Sequence, residues 1–592
     1  MSHQETFTRR VVDNAAANSG REALLYLHGG ADGGPLTPER LQYGELDRRA
    51  KGIASWIQER GFAKRQILLL EPPGTPFVTA FVGCLYAGAT AVPAPLPTGH
   101  RRHFSRLSRI AADARVAAVL TSAEHAPEVE AWLAATGFTD VVCLATDTDP
   151  VGDPDAWREP AVRPDDLAFL QYTSGSTSAP KGVMVSHANL MANEAAIQRA
   201  LGSNASTRMG SWLPMYHDMG LIGHLLHPLW LGTGSVLMAP ETFLQRPVGW
   251  LEMVSDHGVT MGGGPNFAYD MCVRRVKDAD LDRLDLSHWE QACNGAEPLR
   301  AETIEAFTTR FARAGFRPEA FFPCYGMAET TLLVSGTPLG RAPVTRAVDT
   351  AALELGSLEA AGRGPQRCLV SSGRVSAEDF DVRIVDPVTR GPLPDGEVGE
   401  IWLRGPSVAR GYWDNSDATA EAFRAALRGE HEDEGGWLRT GDLAALHEGE
   451  LYVTGRLKEM VLVNGRNIYP HDVEATVRTV APVLGTGAAF AVASARDGRD
   501  RLVLVQEVRD RGAVVDHQEL LARVRRVVSD EFGVAAGTVL LVAPGTVGRT
   551  TSGKIQRTLM RTRFLAGALD PVHAVVEAEF AELAGGARTA GA

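Results

Sequence analysis

Short apolar runs that alternate with amphipathic stretches dominate the first two thirds of this 592-residue chain. They occupy residues 67–70, 116–121, 168–172 and 234–238. Strands that are buried on both faces consist of continuous apolar residues, because helices cover both sides of the sheet. The pattern therefore predicts an α/β fold with layered, buried sheets.

The length of the chain predicts more than one domain, since a single core rarely serves so many residues. From about Asp381 the sequence pattern changes. Short predicted strands at 382–385 and 400–403 are separated by turns that contain Gly, Pro and Asp. This change predicts a β-rich subdomain at about 373–456. Helical and strand patterns of a small α+β unit follow the last of these strands. We therefore expect a large N-terminal domain over 1–456 and a small C-terminal domain over 457–592.

Charge and composition narrow the class of partner. The chain carries 72 acidic and 59 basic residues, for a net charge of −13, which argues against nucleic acid as the main partner. Residues 72–99 carry no charge, but their prolines leave an uninterrupted middle shorter than the roughly 20 residues of a membrane span. That stretch predicts a buried helix followed by a buried strand. The six cysteines include no C-x-x-C pair, and we expect a soluble, cytoplasmic protein with no integral membrane association.

The segment 172–182 is rich in Ser, Thr and Gly and follows a predicted buried strand. Such a run suits a loop that surrounds phosphate oxygens with N–H and O–H donors, although a polar surface turn is the alternative for the cluster alone. Pro180 stands where a Walker loop has its second glycine, so this is not a Walker loop. The candidate phosphate-binding residues are Thr173, Ser174, Gly175, Ser176, Thr177 and Lys181.

A second phosphate-like segment lies at 548–555 and has the G-x-x-x-x-G-K spacing. Ile555 occupies the position of the Ser or Thr that would bind magnesium in a P-loop. We therefore interpret the segment as a loop that delivers one lysine, Lys554, to an active site.

Together with four further motifs, these two segments resemble the adenylate-forming superfamily of acyl-CoA synthetases, luciferases and peptide-synthetase adenylation domains. The four motifs are WLPMYHDMGL at 212–221, YGMAET at 325–330, TGD at 440–442 and GR at 455–456. All six follow the order of that superfamily and cover nearly the whole chain. The resemblance implies ATP-dependent activation of a carboxylic acid and a small, mobile C-terminal domain.

Several details are similar to one branch, the fatty acyl-AMP ligases. They are segments 215–222, 263–269, 294–298 and 465–470, together with Ala328 in place of the usual Thr or Ser. The branch implies that a fatty acid becomes acyl-AMP and then reaches the phosphopantetheine thiol of a separate acyl carrier protein of a polyketide or peptide synthase. It also implies an extra segment that hinders the domain rotation used in CoA chemistry, for which about 348–372 is the candidate. A fatty acyl-CoA ligase and a non-catalytic protein that binds a nucleotide or acyl adenylate are the alternatives.

The resemblance also implies roles for individual residues, with ATP and Mg²⁺ as cofactors. Lys554 would bridge carboxylate and phosphate, His217 would lie near the α-phosphate, and Glu329 would bind magnesium. Lys458 matches the hinge of the small domain. The other candidates for binding ATP or AMP are Gly295, Ala296, Glu297, Tyr325, Gly326, Met327, Ala328, Thr330, Asp442 and Arg456.

Three further groups have a weaker sequence signal. His224 and His227 are interpreted as ordinary hydrogen-bonding residues. Arg102, Arg106 and Arg109 share one face of a predicted helix, for which a solvated face is favoured over a dock for an acidic carrier protein. The residues that would line an acyl channel, or else belong to the core, are Met215, Met219, Leu221, Pro265, Phe267 and Tyr269.

Overall fold

The computed structural model describes most of the chain. The described residues are 5–30, 34–97, 101–148, 151–173, 180–431, 435–463, 466–494, 496, 499–509, 516–550 and 553–584, without the side chains of 101–103, 582 and 584.

A six-stranded sheet forms the first layer of the large domain. Its strands are parallel except for the last pair, which is antiparallel. In spatial order they are β6 (Val142–Ala145), β5 (Ala118–Thr121), β3 (Gln66–Leu70), β4 (Thr90–Pro93), β7 (Leu167–Thr173) and β8 (Lys181–Ser186).

A nine-stranded sheet forms the second layer, with a parallel centre and antiparallel strands at both ends. In spatial order its strands are β17 (Arg374–Val375), β14 (Leu333–Gly336), β13 (Phe321–Gly326), β12 (Gln291–Asn294), β11 (Met261–Gly264), β9 (Arg208–Ser211), β10 (Gly234–Met238), β1 (Glu22–His28) and β2 (Thr37–Gln42).

Two smaller antiparallel sheets complete the large domain. One is the hairpin of β15 (Thr345–Asp349) and β16 (Gln366–Val370), which overlaps the candidate insertion. The other is the β-rich subdomain of β18 (Asp381–Val385), β19 (Gly399–Arg404), β20 (Leu438–His447) and β21 (Glu450–Arg456). Val348, Leu353 and Leu358 of the insertion pack on Leu443 and Tyr452 of this subdomain, so the insertion is part of the core.

The small domain has a short hairpin and a four-stranded mixed sheet. Their strands are β22 (Val461–Val463), β23 (Arg466–Ile468), β24 (Leu484–Ala493), β25 (Asp500–Val508), β26 (Thr538–Val542) and β27 (Pro571–Val575). Alternate residues of β25 enter two different cores: Leu504 faces one and Val505 the other. This period of two is what a sheet covered on both faces requires.

Helices cover both faces of the sheets. They are α1 (Phe7–Ala17), α2 (Tyr43–Glu59), α3 (Thr75–Ala87), α4 (Arg101–Ala114), α5 (Ala126–Thr136), α6 (His187–Leu201), α7 (His227–Leu231), α8 (Pro240–Gln245), α9 (Val248–His257), α10 (Asn266–Arg275), α11 (Asp278–Leu281), α12 (Ala301–Phe311), α13 (Thr350–Glu354), α14 (Ser416–Phe423), α15 (Pro470–Thr479), α16 (His517–Phe532) and α17 (Arg557–Leu565).

Two local features of the helical segments bear on the site. Ser186 and Asn189 form a reciprocal capping box that starts α6 directly at the end of β8. Residues Met219–Leu226 form a π-helical segment before α7. Across the described parts of the chain, no helix is long and apolar enough to cross a membrane.

The structure confirms the predicted α/β class. The apolar runs lie in β3, β5, β7 and β10, and the uncharged stretch 72–99 contains α3 followed by β4. One large core joins side chains from both main sheets, among them Leu69 of β3 and Val236 of β10. The strand ends therefore meet in one region between the layers.

Candidate active site

A cavity of about 770 Å³ lies where the two main sheets, the β-rich subdomain and the small domain meet. Its wall includes Arg106 of α4, Thr173 and Lys181 at the ends of β7 and β8, Tyr325 of β13 and Lys554 of the small domain. Thr173 and Lys181 are a register pair of these two strands, and both line the cavity. Ser174, Gly175, Ser176 and Thr177 lie outside the described residues.

A cation, an aromatic ring and a carboxylate line one side of the cavity. The Lys181 ammonium lies 4.6 Å from the centre of the Tyr412 ring, and the Tyr412 hydroxyl donates to Glu329 Oε1 at 2.9 Å. Burial raises the pKa of Glu329, and the hydrogen bond from Tyr412 opposes that rise. A positive ligand beside Glu329 would therefore find a carboxylate that is already oriented.

A buried carboxylate lies against two residues of the cavity lining, Tyr325 and Arg456. Asp442 of β20 accepts from the Tyr325 hydroxyl at 2.8 Å and from Arg456 Nε at 2.9 Å. Asp442 and Arg456 are a register pair of adjacent strands, which fixes their approach. The charge of Asp442 raises the pKa of Arg456, and burial raises that of Tyr325, so the first stays a cation and the second a neutral donor. A carboxylate has about four acceptor positions, so two remain for ligand hydroxyls.

Small residues after β12 bring the backbone close to the cavity. Gly295 lies against β13, where a Cβ would be 2.9 Å from the Cys324 carbonyl oxygen. Ala296 has a φ of 66° and lines the cavity. Glu297 accepts from the Phe267 backbone N–H, and burial raises its pKa. A flat ligand can therefore approach this wall closely.

The small domain contributes a tight loop that carries Lys554. The Thr550 N–H donates to the Lys554 carbonyl at 2.8 Å, and the Lys554 N–H donates to Thr550 Oγ1 at 3.0 Å. Gly553 has a φ of 86° and lies against the ring of Phe267. A Cβ added at Gly553 would be 3.1 Å from Phe267 Cε1. Both contacts fix the loop, the second against the large domain.

The Lys554 side chain lies among charged groups of the large domain. Burial and then Arg456 lower its pKa, while Asp218, Asp442 and Glu297 act in the opposite direction. Asp218 also contacts His217, with Nδ1 and Oδ1 2.7 Å apart. Burial opposes ionisation of Asp218, but His217 and Lys554 outweigh it and lower its pKa to about 2. Lys554 is therefore surrounded in the cleft by both positively and negatively charged side chains.

An apolar arm of the cavity extends along the nine-stranded sheet, between α6 and the π-helical segment. Gly223 of that segment closes against Leu332, since a Cβ there would be 3.2 Å from Leu332 Cδ2. The arm is lined by Ile197, Leu201, Met209, Met219, Gly223, His224, Cys293, Phe322, Cys324, Leu332 and Leu333. Its walls suit a hydrocarbon chain.

Of the six predicted acyl residues, Met219 is the one in this lining. Tyr269 is fully buried, donates to the Cys293 carbonyl at 2.7 Å and packs among aromatic rings of the core. Met215 and Leu221 are core residues, and Pro265 is buried at the N-terminus of α10. Phe267 supports the lysine loop instead. Met215, Leu221, Pro265 and Tyr269 therefore lie where the alternative prediction places them, in the core of the large domain.

The other predicted residues fall into two groups. Gly326, Met327, Ala328 and the exposed Lys458 line the cavity. Thr330 does not: it is fully buried, and its hydroxyl donates to the Met327 carbonyl at 2.9 Å. Thr330 therefore holds the shape of the turn that presents Glu329.

The arginine face of α4 borders the cavity, and Arg109 on that face is exposed while Arg106 is partly buried. Arg106 and Arg109 line the cavity, and the side chain of Arg102 lies outside the described residues. Burial lowers the pKa of Arg106. On the opposite face of α4, Leu107 and Ala111 are buried in the core.

The candidate insertion connects the large domain to the small domain. Glu354 of α13 pairs with Arg466 of β23, and Arg367 of β16 pairs with Asp472 of α15. Tyr469 of the small domain packs in the same core cluster as the insertion. We call the two ion pairs the insertion latch, since they join the segment 348–372 to the domain that carries Lys554.

Sequence reasoning missed three groups at this site. Tyr412 contacts Glu329 across 83 positions, and nothing in its surroundings in the sequence indicates that. Asp218 could have been found, because it directly follows His217 within a recognised motif. His224 was interpreted as an ordinary polar residue, and only the tertiary structure reveals that it lines the apolar arm.

Comparisons with known proteins agree with this geometry. A family model described as AMP-binding enzyme matches residues 11–413. The medium-chain-fatty-acid acyl-carrier-protein ligase JamA of Moorena producens is 38% identical over 94% of this chain and 95% of its own. The corresponding ligase TtuA of Teredinibacter turnerae is 34% identical over 93% of this chain and 92% of its own. The fatty acyl-adenylate ligase of Legionella pneumophila, solved with acyl adenylate and pyrophosphate, superposes with a TM-score of 0.73 at 36% identity, covering 96% and 97% of the two chains.

Proposed function

The chain belongs to the AMP-binding enzyme family, and from that premise we propose that it adenylates a fatty acid with ATP and then passes the acyl group to a separate acyl carrier protein. The products of the first step are acyl-AMP and pyrophosphate. JamA and TtuA, which match over nearly their whole lengths, are named for a medium-chain fatty acid and a carrier protein. The nucleotide substrate in the proposed reaction is ATP.

One observation carries the proposal: a single cavity joins a polar end, where Lys554 meets Asp442 and Arg456, to an apolar arm. The polar end offers the charges that a nucleotide needs, and the arm offers the surface that a hydrocarbon chain needs. Only where the two meet can a carboxylate reach a phosphate. Lys554 lies at the polar end, brought there by the small domain.

The first step is an in-line displacement. A carboxylate oxygen of the acid bonds to the α-phosphorus, and the bond from that phosphorus to the pyrophosphate oxygen breaks. Lys554 stabilises the negative charge shared by the carboxylate and the phosphoryl oxygens. One such charge at about 4 Å, with an effective dielectric constant near 20, is worth roughly 4 kcal/mol. That energy corresponds to a rate factor of about 10³.

Neighbouring residues orient the two substrates. Asp442 has acceptor positions left for the ribose hydroxyls, and Arg456 and Tyr325 keep its side chain in place. Ala296 and the flanking small residues leave room for the adenine against β13. His217, oriented by Asp218, lies beside the entering carboxylate in this proposal.

Glu329 fits a magnesium ion bound together with nucleotide phosphates. Magnesium is commonly held by one or two carboxylates plus substrate phosphates rather than by an all-protein cage. The described residues contain no cluster of three or more His, Cys, Asp or Glu that could form such a cage. The oriented, cavity-facing carboxylate of Glu329 is the single protein ligand that this mode needs. The ion would supply charge neutralisation to the leaving pyrophosphate.

In the second step the thiol of a phosphopantetheine arm releases its proton to solvent, its sulfur bonds to the acyl carbon, and AMP leaves with the electrons of the acyl–oxygen bond. The insertion latch supports a carrier as the acceptor over CoA, because it connects the small domain to the large one through two ion pairs. Rotation about Lys458, which the resemblance implies for CoA ligation, would have to break both. Fatty acyl-CoA ligation remains the rival for this step alone.

Acid-dependent exchange of labelled pyrophosphate into ATP tests the first step. We expect exchange with saturated fatty acids of medium length and none with amino acids or with benzoic acid offered at the same concentration. Exchange that does not depend on any fatty acid would contradict the proposal. So would tight nucleotide binding without exchange, which is the behaviour of a non-catalytic binding protein.

A further inference from the structure

We propose that His224 recognises a hydrogen-bond donor, such as a hydroxyl group, on the acyl chain. The substrate class would then be a hydroxylated fatty acid rather than a plain one. This inference rests on the proposed function, since it takes the apolar arm of the cavity to be the acyl site.

His224 places a polar atom in an otherwise apolar wall. It is 2% exposed, it lines the cavity, and its Nε2 atom has no hydrogen-bond partner among the described residues. The other described side chains of the arm are hydrocarbon, thioether or thiol groups. A buried polar nitrogen left without a partner costs free energy, and native proteins rarely retain one without a reason.

The hydrogen bond on the other ring nitrogen decides what Nε2 can bind. His224 Nδ1 lies 2.8 Å from the Met219 carbonyl oxygen. A carbonyl oxygen can only accept, so Nδ1 carries the proton and donates. Burial lowers the pKa of His224 to about 4, and the ring is therefore neutral at physiological pH. In a neutral ring with a protonated Nδ1, Nε2 is an acceptor, and its partner must be a donor.

The local backbone explains why the ring is held in this orientation. Met219 and His224 are five residues apart in the π-helical segment, and the side chain bonds back to the carbonyl at that spacing. π-Helical turns are rare and often mark functional sites. Met219, Gly223 and His224 all line the arm, so the segment presents one face to the acyl site.

A second histidine on the same stretch of chain shows what a purely structural histidine looks like here. His227 is fully buried, and its two nitrogens lie 2.7 Å from Ser203 Oγ and 2.7 Å from Glu194 Oε2. Both of its hydrogen-bonding positions are used within the protein. His224, three residues earlier, lines the cavity and keeps one hydrogen-bonding position without a partner among the described residues.

A water molecule is a poor partner for this nitrogen. Buried waters are usually held by about three hydrogen bonds. The described side chains that line the arm offer, apart from His224, only weakly polar thiol and thioether groups. A donor carried by the substrate needs no further partners, because the chain itself positions it.

The test compares decanoic acid with the full set of its monohydroxylated positional isomers in the pyrophosphate exchange assay with intact protein. For one position, or two adjacent ones, we expect kcat/KM to exceed that of decanoic acid by about 10- to 100-fold, the range for satisfying a buried polar group. Isomers with the hydroxyl elsewhere should be poorer than decanoic acid, because they bury an unpaired hydroxyl.

Three variants and one control assign any preference to His224. His224→Leu removes both nitrogens, and His224→Asn keeps a donor to the Met219 carbonyl but loses the Nε2 acceptor. Both should reduce the ratio of the preferred isomer to decanoic acid to near unity while decanoic acid is still adenylated. His224→Gln, whose amide oxygen can reach the Nε2 position, should restore part of the ratio. Met209→Leu alters the same wall without changing a strongly polar atom and should keep the ratio.

The outcomes separate the inference from the proposed function. If decanoic acid supports exchange but no isomer is preferred, or the preference survives in both His224→Leu and His224→Asn, the role of His224 is overturned and the adenylation proposal stands. If no fatty acid in the set supports exchange, the proposed function fails and the inference falls with it.

Discussion

The polar and apolar ends of the cavity are built in different ways. At the polar end, Asp442, Tyr325, Glu329 and Lys554 come from short, contiguous motifs, and each side chain has charged or hydrogen-bonding neighbours within the site. At the apolar end, the wall is assembled from α6, β9, β12, β13 and the π-helical segment, a few residues at a time.

The difference shows how the two ends are specified. Charged chemistry needs a few atoms in fixed geometry, so a change of one residue removes a function outright. An apolar channel needs only volume and shape, so its substrate range can change by small steps. We therefore expect variants at the polar end to affect every substrate alike and variants at the apolar end to discriminate among acids.

The largest effect is expected for Lys554→Ala. Loss of a charge worth roughly 4 kcal/mol should lower the rate of adenylate formation by about 10³-fold for every acid tested. The measurement is pyrophosphate exchange across a series of chain lengths. Lys277→Ala is a matched control, because Lys277 is exposed and absent from the cavity lining. A loss confined to long acids would show that the lysine loop acts on the acyl end.

Asp442→Asn should have the next largest effect. Removing the charge leaves Arg456 without its partner and weakens the acceptor for the ribose hydroxyls. We expect KM for ATP to rise by about 10- to 100-fold, the cost of disturbing a buried charged hydrogen bond, with the order of preference among acids unchanged. A changed chain-length profile in steady-state kinetics would contradict the separation of the two ends.

Gly223→Val tests the apolar end. A Cβ at Gly223 would already be 3.2 Å from Leu332 Cδ2, so the two further methyl groups must displace the wall or enter the arm. Overpacking of this kind costs about 1–3 kcal/mol, so kcat/KM should fall roughly 10-fold for the longest acids accepted. The shortest acids and KM for ATP should be little changed. Equal losses for all acids would indicate misfolding, which thermal denaturation would reveal.

The smallest effect on adenylation is expected when the insertion latch is opened. In the double variant Arg367→Gln, Arg466→Gln, both ion pairs with Asp472 and Glu354 are lost. None of these four described side chains lines the cavity, so adenylation should fall by no more than about 3-fold. Acyl-CoA, measured by mass spectrometry with CoA present, should rise above the level of the parent protein. Unchanged formation of acyl-CoA would show that the insertion latch does not determine which acceptor is used.

Patterns that are local in the sequence predicted the fold and the polar end well. The apolar run 234–238 coincides with β10, and the TGD motif places Asp442 beside Tyr325 across 117 positions. The apolar end could not be predicted in this way. Tyr269 and Leu221 have the same apolar character as channel residues, and only the packing shows that they belong to the core.

Long-range contacts explain the remaining misses. Arg106 lies on an amphipathic helix whose polar face is typical of a solvated surface, yet in the folded chain Arg106 also lines the cavity. The sequence around His224 does not indicate that one of its nitrogens is unpaired. Both facts depend on which elements pack against α4 and the π-helical segment.

The most direct test of the whole account follows the fate of the adenylate. The protein is incubated with labelled ATP and a medium-chain fatty acid until acyl-AMP accumulates, and then either CoA or a phosphopantetheinylated carrier protein is added. We predict that acyl-AMP persists when CoA is added and that the carrier protein consumes it and becomes acylated. Rapid formation of acyl-CoA would contradict the assignment of the carrier as acceptor, and failure of acyl-AMP to form at all would contradict the adenylation chemistry itself.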